Sequence, residues 1–140
     1  MKTYPFTIQD KKLVEEAKMI IKEHYEYDKH HVGAALRTKS GEVISAIHLE
    51  AYIGRISVCA EAIAIGSALS QGKKELHTIV AVRHPYSDEE NRELSIVSPC
   101  GMYRELIYDY TPDCYVILEA NQEIIKTKIS ELLPLKYVRG

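Results

Sequence analysis

The chain has 140 residues, 46% of them hydrophobic and 27% charged, with a formal net charge of -2 at pH 7. That is the composition of one ordinary soluble domain with interior enough for a core, and it excludes disordered, collagen-like and coiled-coil chains. The faintly acidic balance lacks the basic footprint of a protein that grips duplex nucleic acid or an anionic membrane. No run approaches the roughly eighteen apolar residues of a membrane span, and Met1 to Asp10 lacks the apolar segment of a secretory signal, so a cytoplasmic protein is expected. Neither a repeat nor a linker interrupts residues 1–140, which read as a single domain.

Leu13, Ala17, Ile20, Ile21 and His24 recur at spacings of three and four, predicting an amphipathic helix over about Ile8 to Glu26. Two apolar runs, Val32–Leu36 and Val43–Ile47, flank the turn-rich Lys39-Ser40-Gly41-Glu42 and predict a hairpin. A helix over Val58–Ser70 with Gly72 as its stop, then a β-branched strand over Thr78–Val82, come next. Pro85 to Arg92 reads as an acidic loop, Pro99 to Tyr110 as a helix halted before Pro112, and Cys114–Leu118 as a strand. A weaker strand near Ile124-Ile125 and a short helix over Ile129–Leu132 complete the order α-β-β-α-β-α-β-β-α. Strands alternating with helices after an opening hairpin predict an α/β fold, a mixed sheet between helical layers.

Three cysteines, an odd number in a chain able to bury a core, argue against a disulfide framework and for thiol or metal chemistry. Cys114 falls mid-strand and reads as core. Cys59 and Cys100 fall at two matching helix starts: with Ser57 and Ser98 as N-caps and Pro99 at the favoured first position, each cysteine would stand second in its helix. There the helix dipole would lower the thiol pKa and favour thiolate. Glu61, two residues after Cys59, lies in the same first turn. A ligand-x-Glu followed by Pro-Cys-x-x-Cys is the signature of zinc-dependent deaminases, and Cys59-Ala60-Glu61 with Pro99-Cys100-Gly101-Met102-Tyr103 matches all of it but the last residue.

At these residues the chain resembles the cytidine deaminase superfamily, and within it the bacterial blasticidin-S deaminases. The likeness runs through Lys29–Ala35, His48–Gly54, Val58–Glu61, Arg83–Asp88, Ser98–Met102 and Glu131–Tyr137. It implies a three-layer α/β/α sandwich around a mixed five-stranded sheet, a homotetramer, and hydrolytic removal of the exocyclic amine from a cytosine ring, on blasticidin S or on cytidine. By that resemblance zinc is the cofactor, Cys59 and Cys100 are its ligands and Glu61 is the proton shuttle. Glu50, His48 and His30 would then contact the small nucleoside substrate; His48 stands where many cytidine deaminases carry Asn, which leans toward the nucleoside-antibiotic subgroup. Editing of single-stranded nucleic acid is disfavoured by the acidic charge and the lack of a basic insertion.

Tyr103 breaks the pattern where a third thiolate belongs, one turn after Cys100 and on the same helix face. A phenol is a harder donor with a reference pKa near 10 against about 8.5 for a thiol. Three arrangements follow from it. Tyr103 turns aside and His48 or water completes the metal's ligands; its ring fills the metal cavity, leaving a metal-free fold that binds a nucleoside or a partner without turnover; or the phenolate binds the metal directly, which its reach disfavours.

Overall fold

Thr7 opens the first helix reciprocally: its hydroxyl accepts from the Asp10 amide at 3.1 Å, while the Asp10 carboxylate accepts from the Thr7 amide at 2.9 Å. Two N–H groups that a helix start leaves unpaired are thereby satisfied. The computed structural model describes residues 1–140. Helix α1 (Ile8–His24) buries Leu13, Val14, Ala17 and Ile21 on the face that the spacing predicts. Strands β1 (Val32–Thr38) and β2 (Val43–Ile47) form the expected antiparallel hairpin, with Gly41 at φ 95° in the turn, a region that side chains rarely enter.

Helix α2 (Ala60–Ser70) stops at Gly72, whose φ of 77° lets the Lys73 amide reach back to the Ala68 carbonyl at 2.9 Å. Strand β3 (Leu76–Arg83), the short β4 (Ser95–Val97), helix α3 (Gly101–Tyr110), and strands β5 (Tyr115–Ala120) and β6 (Glu123–Lys128) follow, ahead of a single 3-10 turn over Ile129–Leu132. The five-strand order is β2-β1-β3-β5-β6, antiparallel except for the β3–β5 pair, so the expected mixed sheet is present. The strand that the sequence does not reveal is β4. At three residues it is too short to show an alternation, and it pairs with Ala81–Arg83 where β5, paired with Thr78–Val80, no longer runs alongside.

Alternate strand residues feed two cores. Ala34, Leu36, Ile79, Ala81, Val116 and Leu118 face α2 and α3, whereas Ala35, Val80, Val82 and Ile117 face α1. Both faces are covered, which is the three-layer arrangement and explains why these strands read as continuous apolar runs. Helix α1 is also tied to the sheet by a buried charge: Asp10 accepts from Arg37 of β1 at 3.0 Å and from Lys126 of β6 at 2.9 Å.

Candidate active site

Helices α2 and α3 both begin later than the sequence suggests, and the difference moves both cysteines. The antiparallel bridge between Leu49 and Val58, with two amide bonds of 2.9 Å, keeps Ser57 and Val58 extended, so α2 cannot start before Cys59. At α3 the Arg104 side chain donates to the Pro99 carbonyl at 2.8 Å and leaves Pro99 outside the helix. Cys59 (φ -70°, ψ 151°) and Cys100 (φ -68°, ψ 165°) are therefore the N-cap residues themselves, and neither thiol caps its own helix. Ser57 does not cap; its hydroxyl accepts from the Ala51 amide at 3.0 Å and donates to Glu50 at 3.3 Å.

The two helix starts nevertheless converge, since the Cys59 thiol lies against both the Cys100 thiol and the Tyr103 hydroxyl. The expectation of a lowered thiol pKa fails at Cys59. Burial, followed by the Glu61 and Cys100 charges, pushes it up to about 11, more than the Tyr103 hydrogen bond offsets. Cys114 is core, as expected, and burial pushes its thiol up to about 12.

Glu61 stands in the first turn of α2 and is only 6% exposed. Pro99, Ile79, Ala81 and Val116 line an apolar pocket beside it that is too small for a water molecule. Burial raises its pKa, so this carboxyl holds a proton more readily than an exposed glutamate. A raised pKa of this kind suits a group that takes a proton and gives it back during a reaction.

Tyr103 is not turned aside. Its hydroxyl accepts from the Cys59 amide at 3.3 Å. Burial, ahead of the neighbouring thiols, raises the phenol pKa and favours its neutral form. His48 is no substitute ligand, because its Nε2 lies 3.1 Å from the Glu50 carboxylate. No group of three His, Cys, Asp or Glu side chains surrounds a common point. Catalytic zinc takes three protein ligands plus water. Two thiols and a neutral phenol already engaged by an amide do not complete that set, and zinc does not fit the residues present.

The predicted substrate residues gather on the neighbouring segment. His30 donates through Nδ1 to the His48 carbonyl at 2.8 Å, and both His30 and Glu50 line an open cleft of about 900 Å³ with Tyr27, Tyr52 and Ile56. Cys59, Cys100 and Glu61 lie outside that lining. The link between the two regions is short, running from Glu50 to Leu49, across the hydrogen-bonded Leu49–Val58 bridge, and on to Cys59. Burial lowers the His48 pKa against the pull of Glu50, so a neutral imidazole donates to the carboxylate at neutral pH. Sequence reasoning misses the aromatic wall behind it. Tyr25 and His84 stack at 3.8 Å, and His31, buried, meets Tyr86 edge-on at 4.7 Å. The pairing of Val32 with Arg83 brings His31 beside His84, a register no local pattern announces.

Residues 7–127 match the family described as the cytidine and deoxycytidylate deaminase zinc-binding region, and the chain belongs to that family. It is 64% identical over 140 residues, 100% of both chains, to a blasticidin-S deaminase of Bacillus cereus. A cytidine deaminase of Halalkalibacterium halodurans is 34% identical over 110 residues, 77% of each chain. The solved cytidine deaminase of Bacillus anthracis superposes with a TM-score of 0.76 at 25% identity, covering 94% of this chain and 90% of that one. The Burkholderia pseudomallei enzyme gives 0.73 at 28% identity, covering 91% and 98%.

Proposed function

We propose that the chain is an aminohydrolase that replaces the exocyclic amine of an aminopyrimidine nucleoside by oxygen and releases ammonia, with blasticidin S preferred to cytidine. The observation that carries this reading is Glu61, a buried carboxyl with a raised pKa in the first turn beside the Cys59–Cys100 pair. The full-length likeness to the Bacillus cereus deaminase supports the choice of substrate.

In this reading one water is consumed: its oxygen ends on the ring carbon and the amine leaves as ammonia. Glu61 carries the protons, first to the ring nitrogen and then to the departing amine. Glu50, oriented by His48 and Ser57, accepts from hydroxyls on the sugar-like part of the substrate, and His30 fixes the strand end that holds them. The Cys59, Cys100 and Tyr103 side chains do not complete a zinc donor set, and the proton traffic rests on Glu61. Four copies assemble in this reading, as the resemblance implies.

Ammonia release from blasticidin S and from cytidine, measured for the native chain and for Glu61→Gln, tests the proposal. The variant is expected to lose at least about 10²-fold in rate, the lower range for a positioned proton carrier, with unchanged circular dichroism. Retained activity in Glu61→Gln would overturn the mechanism. A second reading rests on the Tyr103–Cys59 contact: a metal-free pocket that binds the nucleoside without turning it over. Saturable nucleoside binding with no ammonia release favours it.

A further inference from the structure

We infer that Tyr103 excludes the metal rather than binding it, so that this chain holds zinc weakly. The inference rests on the deaminase reading above and concerns what residue 103 does to it.

The geometry follows from side-chain length. Cys100 is the N-cap of α3 and Tyr103 is the third residue of that helix, so the two project from the same turn toward α2. A thiol at position 103 would end one bond beyond its Cβ. The phenol oxygen ends across a rigid ring, and it comes to rest at the Cys59 amide, on the opposite helix start, at 3.3 Å. The ring therefore crosses the space between the two cysteine-bearing helix ends. An ion there needs sulfur at about 2.3 Å on two sides, and the aromatic carbons stand in its way. The hydroxyl keeps an accepted hydrogen bond from the Cys59 amide only while the ring stays across the gap. Zinc must displace the ring to enter, and after entry it has two protein sulfurs where a stable catalytic site has three ligands.

The test uses the whole chain and its Tyr103→Cys and Tyr103→Phe variants, titrated with zinc against a chromophoric chelator. Tyr103→Cys is expected to bind one zinc at least about 100-fold more tightly than the native chain, beyond the loss caused by removing even an outer-shell partner. Tyr103→Phe, which keeps the ring and removes the hydroxyl, is expected to stay weak. Thiol-reagent titration gives an independent readout: Cys59 and Cys100 react without chelator in the native chain and only after chelation in Tyr103→Cys. Tight zinc in the native chain, or no gain in Tyr103→Cys, would overturn the inference. So would a tyrosinate absorption difference on adding zinc that Tyr103→Phe lacks, because the phenol would then be a ligand. If Tyr103→Cys takes zinc yet releases no ammonia from either nucleoside, the proposed function falls while the role of Tyr103 stands.

Discussion

Glu61 is placed where folding alone would not put a carboxylate. Burial raises its pKa above the unfolded value, so the folded chain prefers the protonated form. The site is then tolerated below the ordinary carboxyl pKa and becomes progressively destabilising as pH rises from that value to the raised one, above which the cost is constant. Glu61→Gln removes that cost, and with chelator present throughout, its melting temperature should exceed the native one at neutral pH and converge with it in acid. A constant gap across pH would mean that the charge of Glu61 plays no part. The residues proposed to carry the chemistry stand out in the sequence because Cys59-Ala60-Glu61 and Pro99-Cys100 form a motif. Their electrostatics do not. The sequence places helix starts by capping chemistry and sees neither the Leu49–Val58 bridge that delays α2 nor the burial that overrides the dipole at Cys59.

At the scale of elements, continuous apolar runs reveal five strands and apolar spacings of three and four reveal the helices, because a strand covered on two faces and a helix covered on one leave different patterns. What they do not reveal is how closely α1 lies on β1. A side-chain carbon at Gly33 would sit 2.7 Å from the Ala17 carbonyl oxygen and 2.9 Å from the Ile21 Cβ, contacts that a backbone atom and a buried branch cannot relieve by rotating. Gly33→Ala is expected to cost about 1–3 kcal/mol, the range for overpacking a filled core, read as a lower midpoint in urea unfolding. An unchanged midpoint would show that α1 can slide away from the sheet. The Asp10 network makes such sliding difficult, since Asp10 is fully buried and joined to Arg37 and Lys126. Burial alone would raise its pKa, but the Thr7 amide, Lys126 and Arg37 together hold it below the usual carboxyl range. Moving α1 outward would separate three charges in a dry interior, which is more costly than the steric relief it would bring.

For the molecule as a whole, the open question is what covers the rim of the large cleft. Tyr52 is 104% exposed, Ile53 55% and Ile56 60%, all on the segment between Glu50 and Cys59. Large apolar side chains clustered on one short segment mark an interaction surface, whereas the same residues scattered singly would mean little. Their placement also matters for chemistry, because Glu50 opens into the cleft they border and a copy packed there would narrow it around a substrate. In the proposed homotetramer this rim lies between copies. Static light scattering at micromolar concentration should then give the mass of four chains, and Tyr52→Asp combined with Ile53→Asp should shift it to smaller species. If assembly also shapes the cleft, the double variant raises KM for the nucleoside more than it lowers kcat, since Glu61 and the cysteines lie outside the rim. A native chain that scatters as a monomer, with the rim in water, would remove the tetramer and leave the cleft as open as it stands in one copy.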